Sequence, residues 1–472
     1  MNLNRNPVVF MGILLLTTIL PANGLEGDMQ LYGASDMGEV VMRQRGVSGI
    51  GLTLIEGDPY FRFQLQPEVD LGKIGIGLDF VLLYNPYPEE HEDGTMDAQF
   101  LAEDGEEWDN LSTIIRTIRY LRYGGLNEPL YARFGELDYV TIGHGFIMSG
   151  YANHDRRGLR VNLSSGTGNI GLETVINNLG DPTIFGGRAY LRPFQGLGLP
   201  WILNRLELGG TYLTDIDPDL IPDDEKDDKT INEEPLIALG GDIGLPLIET
   251  SKFELLLYDD LAVLNTKQGD TPGETENTMG NAVGVGVSIP KTLFKVEYRT
   301  FGEAFIPTIF DYTYETASST FWGMEEDLGD AEARRGYFSL LAVNPVPKVT
   351  LMATFQDYNN SEPRLYAGIS ESGLVERMSF RAFYTKRDIG LPYLEDPGNP
   401  NSVKDPGFVE DLFRLDEKSA FTVRIGYELF ASFEVAVLQE YRFHQVEKED
   451  GEFGFEPIKK TSVEAGFKLR FD

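Results

Sequence analysis

Apolar and polar side chains alternate with a period of two over much of this chain, the spacing of a strand whose two faces meet different surroundings. Phe61, Phe63 and Leu65 alternate with Arg62, Gln64 and Gln66, and Ile74, Ile76, Leu78, Phe80 and Leu82 with Lys73, Gly75, Gly77 and Asp79. Val283, Val285 and Val287 alternate with Gly284, Gly286 and Ser288, and Phe294, Val296 and Tyr298 with Lys295, Glu297 and Arg299. Phe421, Val423, Ile425 and Tyr427 repeat the pattern, and Val463, Ala465, Phe467, Leu469 and Phe471 give its cleanest run.

Breaks in the pattern predict twenty strands, with eighteen as the nearest alternative: 48–55, 60–68, 72–84, 129–135, 139–149, 158–164, 169–178, 184–193, 204–214, 234–245, 251–263, 279–289, 292–302, 333–344, 349–357, 362–370, 375–386, 418–428, 432–446 and 457–471. Alternation alone fits a two-sheet sandwich as well as a membrane barrel, since both separate an apolar face from a polar one. The connections separate the two. Under up-and-down counting the long segments 85–128, 215–233, 264–278, 303–332 and 387–417 all fall on one side, and the turns on the other are short. Tight turns at one end and long loops at the other are the asymmetry of a transmembrane antiparallel up-and-down β-barrel with periplasmic turns and extracellular loops.

Arg5, the apolar run Val8 to Leu20 and the small residues Pro21-Ala22-Asn23-Gly24 form a cleavable export signal over residues 1–24. Residues 25–46 are then a periplasmic or lumen-threading segment, and residues 47–472 the barrel. No later segment approaches the roughly eighteen consecutive apolar residues of a spanning helix, so a membrane is crossed here only by closing a sheet. With 40 basic against 75 acidic residues, the balance argues against nucleic acid as partner. The chain has no cysteine, hence no disulfide and no thiolate metal site.

The alternating final strand, with Phe467, Leu469 and the penultimate Phe471, resembles the C-terminal assembly signal of bacterial outer-membrane proteins, displaced by the one residue Asp472. The whole resembles a porin-like outer-membrane β-barrel. That resemblance implies location in the cell outer membrane, contact with its lipid and lipopolysaccharide, insertion by the barrel assembly machinery, and compatibility with a homo-oligomer. The 29 Phe and 22 Tyr, many near strand ends, suit aromatic girdles at the two interfaces.

Candidate chemistry lies in the lumen. Residues 111–123 show helical spacing, with Leu111, Ile114, Ile115, Ile118 and Leu121 on one side and Arg116, Arg119 and Arg122 on another. Folded inward, such a helix would join Arg62, Arg133, Arg160, Arg188 and Arg192 in a basic constriction; as a cap over the mouth it would leave them apart. The acids Glu207, Asp242, Glu254, Glu297, Glu434, Glu440 and Glu464 fall on inward positions too. Asp215, Asp217 and Asp219 resemble the opening of a calcium loop, but Leu220 stands in place of the turn glycine and Lys226 in place of the closing Glu, leaving at most a weak divalent-ion site. His91, His144, His154 and His444 lack metal-ligand spacing. His144 and His154 flank Ser149 and Asp155 without a nucleophile elbow, so neither an enzyme nor a cofactor is expected. The reading is passage of small hydrophilic solutes with a preference for anions. Its alternatives are a non-conducting barrel acting as adhesin or scaffold, and a soluble secreted all-β protein.

Overall fold

The computed structural model describes residues 48–467 apart from the connecting segments 85–99, 102–116, 219–234, 269–274, 316–332, 395–401 and 448–452 and shorter gaps elsewhere. Its antiparallel strands follow one another in chain order. β1 is Ser48–Ile55; β2 is Asp58–Leu65 resumed at Glu68–Leu71; β3 is Ile74–Leu78 resumed at Phe80–Tyr84. Leu65↔Phe80 and Glu68↔Gly77 share one hairpin register, so each of these interrupted segments is a single strand. Then come β4 (Ile118–Tyr123), β5 (Leu130–Gly135), β6 (Gly158–Ser164), β7 (Ile170–Ile176), β8 (Ile184–Leu191), β9 (Glu207–Asp215) and β10 (Leu236–Thr250). β11 (Phe253–Gln268), β12 (Thr275–Ile289), β13 (Thr292–Phe301), β14 (Arg334–Val343) and β15 (Val349–Tyr358) continue the series. β16 (Arg364–Ser372), β17 (Met378–Lys386), β18 (Ser419–Phe430), β19 (Phe433–Glu447) and β20 (Phe453–Phe467) end it. β20 pairs back onto β1 through Ser48↔Phe467 and Gly49↔Gly466, returning these twenty up-and-down strands to their start, and the two-residue strand Phe100–Leu101 pairs with the end of β3.

The two ends differ as expected. One carries the turns 72–73, 165–169, 251–252, 290–291 and 431–432; the other carries 85–117, 136–157, 216–235, 302–333 and 387–418. On the short-turn side the longest connection, 192–206, includes only the single helical turn α1 (Trp201–Asn204).

The exposed face is apolar. Phe61, Phe63, Leu121, Leu163, Leu172, Tyr212, Leu239, Ile243, Leu257, Leu261, Val285, Tyr337 and Ile425 point outward, while Arg133, Arg160, Arg188, Glu207, Asp242, Glu297 and Arg299 are buried within. A soluble protein would reverse this, because a belt of large apolar side chains is stable against lipid and not against water. Asp259 departs from the belt; it accepts a hydrogen bond from Asn281 Nδ2 at 2.5 Å on the same outer face. The chain is thus a transmembrane β-barrel of the outer-membrane type. Ile425, 45 % exposed in the middle of β18, reads the lipid directly. Ile425→Arg is expected to cost about 2–4 kcal/mol, seen as a lowered urea midpoint or loss of the heat-modifiable folded band. Thr422→Arg, on the lumen side of the same strand, should stay within about 0.5 kcal/mol.

Two elements differ from the sequence expectation, and they compensate in the strand count. Residues 118–123 form β4 and not the end of a helix; residues 111–116 lie outside the described residues. Ile-Arg-Tyr-Leu-Arg-Tyr suits a strand, because its β-branched and aromatic side chains pack better on a pleated surface than around a short helix. The expected strand over 139–149 is instead an inward loop, bent where Gly143 and Gly145 take positive φ values of 57° and 85°.

That loop gives the barrel an internal core. Leu137, Val140, Ile142, Phe146, Ile147, Met148 and Tyr151 from residues 136–157, with Phe305, Ile309, Phe310 and Tyr314 from the loop after β13, bury themselves inside. They pack on inward residues near the long-loop ends of β7 to β13: Val175, Ile184, Leu213, Leu236, Ala238, Ala262, Leu264, Ala282 and Phe301. The long-loop end of these strands is therefore packed with protein on its inner face.

Candidate functional site

The constriction begins with the inward loop, and backbone pairing shapes it. Val140 and Tyr151 exchange hydrogen bonds of 2.8 and 3.0 Å, closing residues 141–150 into a loop. Asn153 ties its base: the side-chain oxygen accepts from Leu137 N at 2.8 Å, and Nδ2 donates to Asn177 O at 2.8 Å. The second inward segment runs beside it, with Thr308 N donating to Phe146 O at 2.8 Å and Phe310 N to Ile147 O at 3.2 Å. Phe146 stacks on Phe305 at 5.5 Å, and Phe305 on Phe301 of the wall at 5.4 Å. Glu315 locks both segments, accepting from Arg156 at 2.7 Å, from Asn177 Nδ2 at 3.1 Å and from the Tyr151 hydroxyl. Burial and the neighbouring Glu315 charge push that hydroxyl well above the ordinary tyrosine range, so it stays a neutral donor.

The tip of the loop, Thr141 to Gly145, reaches the opposite wall. Gly143 N donates to Glu173 Oε2 of β7 at 2.9 Å, and Lys295 Nζ of β13 donates to His144 O. A Cβ on Gly143 would lie 2.9 Å from Arg188 Cδ, so only glycine fits this approach as well as the φ. Thr141 and Gly143 then form a wall common to two cavities of about 410 Å³ each. The first opens toward the short turns and is lined by Arg160, Arg188, Arg192, Glu173, Glu207 and Glu254 among others. The second runs along β11 to β16 to their long-loop ends and holds Lys295, Arg299, Arg334 and Arg364, with Asp311 as the one acid lining it among the described residues. Tyr258, Phe338 and Tyr358 also line it.

The arginines expected at a constriction do not form one cluster. Arg122, Arg133 and Arg160 stand directly opposite one another across β4, β5 and β6. Opposed like charges on a sheet repel, and here carbonyls and rings offset that: Arg122 donates to Gly124 O at 2.6 Å and Arg133 to Glu136 O at 2.7 Å. Arg133 lies 4.5 Å above the Tyr120 ring and Arg160 5.7 Å above that of Tyr131. These partners leave the positive charge in place. Arg188 and Arg192 instead sit among acids. Arg188 holds Asp242 with both Nε and Nη2 (2.9 and 2.6 Å) and Glu207 at 2.7 Å, and Arg192 reaches Glu207 at 3.2 Å. Arg119 is buried beside Glu136, at 3.9 Å. Arg62 lies in β2 in register with Gly51 and Leu83. Arg116 falls outside the described residues.

Lys295, Arg299, Arg334 and Arg364 were not among the residues singled out from the sequence. The first two were already on the polar side of the Phe294–Val296–Tyr298 alternation, but no local pattern shows which part of the lumen the loops leave open. Glu297 between them is fully buried, bonded to Lys295 and Arg299 and accepting Tyr258 OH at 2.5 Å. Of the weak divalent-ion candidates, Asp215 is buried at the end of β9, where it accepts Tyr314 OH at 2.8 Å and Asp217 N at 3.1 Å. Asp219 lies outside the described residues, as do Leu469, Phe471, His154 and Asp155. Phe467 is the last residue of β20.

No protein-family model matches the chain, and no curated protein matches it. Among solved structures the chain is similar to OccK2 (OpdF) of Pseudomonas aeruginosa, at 9 % identity and a TM-score of 0.29, over 89 % of this chain and 95 % of that one. It is similar to the siderophore receptor PiuA of Acinetobacter baumannii at 12 % identity and a TM-score of 0.33, over 88 % and 73 %. A third similarity is to the outer membrane channel DcaP of Acinetobacter baumannii, at 10 % identity and a TM-score of 0.27, over 66 % and 79 %.

Proposed function

We propose that this barrel is an outer-membrane channel for small hydrophilic solutes and that its open path favours anions. The observation that carries the reading is the second cavity, where among the described residues Lys295, Arg299, Arg334 and Arg364 stand against Asp311 and the buried Glu297 along a route from the long-loop mouth to the constriction. In a narrow channel with low-dielectric walls, fixed charge sets the local ion concentration, and the acids of exposed loops are screened beyond about 8–10 Å. The formal charge of −35 therefore does not set the selectivity. Arg122, Arg133 and Arg160 add a basic strip across β4 to β6, of which Arg160 lines the first cavity. The aromatic rings beside the cations give a solute's carbon skeleton a surface to slide on while its charge is held weakly.

Swelling of proteoliposomes containing the purified protein tests this. A small monocarboxylate should enter several-fold faster than an amine of equal size. Equal rates, or faster entry of the amine, would reject the preference, and the absence of swelling with every solute would favour a non-conducting scaffold.

A further inference from the structure

Three donor groups converge behind the tip of the inward loop. Asp242 of β10 and Asp260 of β11 are directly opposed cross-strand partners, both turned inward and both buried. Two carboxylates in that relation repel unless something positive lies between or beside them. His144, at the loop tip, closes over them: Nδ1 is 2.9 Å from Asp260 Oδ1, and its ring stacks on Tyr258 at 4.3 Å. One donor atom from each of the three lies within 4.8 Å of the others. They line a cavity of about 20 Å³ beneath the tip, together with Thr211 and the glycines Gly240 and Gly241. That is room for a single water or ion.

Charge points the same way. Glu173, Glu207, Asp242 and Asp260 bring four carboxylates to this cluster, and Arg188 and Arg192 bring two guanidiniums. The carboxylates outnumber the cations even when Lys295, Arg299 and Glu297 beside the tip are counted, in a buried place where unbalanced charge is costly. Arg188 already holds both oxygens of Asp242. Asp260 Oδ2, on a residue only 6 % exposed, is buried with no hydrogen-bond partner among the described residues.

We propose that His144, Asp242 and Asp260 bind one divalent transition-metal cation, of which Zn²⁺ is the natural probe. Imidazole nitrogen with carboxylate oxygens is a zinc-type donor set, and a cation there would relieve the carboxylate excess. Bonds of about 2.0–2.2 Å at tetrahedral angles place donors about 3.3–3.6 Å apart, so closing the site asks a shift of up to about an ångström. Arg188 orients Asp242 from behind, and Gly209 makes that possible, since a Cβ there would lie 2.3 Å from an Asp242 oxygen. The ion would pin the loop tip to the barrel wall and so fix the width of the constriction. This site does not depend on which solutes the channel passes.

The test is zinc titration of the full-length, chelator-treated protein in detergent, with X-ray absorption on the loaded sample. One zinc per chain is expected, with imidazole in its coordination shell. His144→Gln and Asp260→Asn should each weaken binding by at least ~10–100-fold, the cost expected even for groups that only support the ligands. Replacing Asp217, Asp219 and Asp223 together by Asn should leave binding unchanged. The absence of saturable binding, an oxygen-only shell, or binding that survives His144→Gln would overturn the proposal. If Asp260→Asn fails to fold, the shell of the parent protein and the His144→Gln titration still decide it.

Discussion

Excising the loop tip should enlarge the single-channel conductance several-fold. Replacing residues 141–148 by a short Gly-Ser link removes Ile142, Phe146, Ile147 and Met148, the wedge between the two cavities. The barrel wall keeps its backbone ladder, because among the described residues the backbone pairings of the excised segment run within its own loop and to the second inward segment, through Thr308 N, Phe310 N and the bridge Met148↔Phe310, and not to a wall strand. What is lost is apolar packing inside, at about 1.5–3 kcal/mol for each large side chain. A folded barrel with wider, noisier and less selective openings is therefore the expected result in planar-bilayer recordings. Unchanged conductance would mean that the limiting section lies elsewhere, for instance in the loops outside the described residues.

The second large effect concerns charge. Arg160, Arg334 and Arg364 line the two cavities and make no ion pair among the described residues. Each unit charge acts on an ion ~5 Å away with about 0.8 kcal/mol in water, and more where the walls exclude water. Converting all three to Gln should thus reduce the anion-to-cation permeability ratio by about tenfold, after allowance for screening. Arg188→Gln is a poor substitute for this experiment. It strands Glu207 and Asp242 as buried carboxylates and confounds selectivity with stability. If the triple variant folds and its reversal potential equals that of the parent, these arginines do not face the permeating ions.

The sequence made the barrel legible because a lipid-facing strand obeys a strict period of two, and that period survives in nearly every strand from β1 to β20. The one-sided distribution of long loops was equally readable, since it needs only segment lengths. The interior was not. Residues 139–149 carry enough apolar side chains for a strand, and only the Gly143-His144-Gly145 sequence signals the turn that throws them inward. A second signal was present in Leu236-Ile237-Ala238-Leu239 and Leu261-Ala262-Val263-Leu264, where a strand with one wet face becomes apolar on both. Such stretches tell where a plug packs, because Ala238, Ala262 and Leu264 are buried under the loop while Leu239 and Leu261 face lipid. Arg119 and Arg122 misled for a physical reason: spacing of three shares a face on a helix and splits it on a strand. The pairing of Arg188 with Asp242, across β9, depends on register that no local pattern specifies.

The most direct test of the account is the zero-current potential of the purified parent protein in a planar bilayer under a tenfold gradient of potassium chloride. A water-filled barrel whose free path is lined by Lys295, Arg299, Arg334 and Arg364 should insert in discrete conductance steps and reverse at a potential of the sign set by chloride. Reversal on the potassium side would contradict the basic path, and repeated incorporation without any conductance would contradict the channel itself.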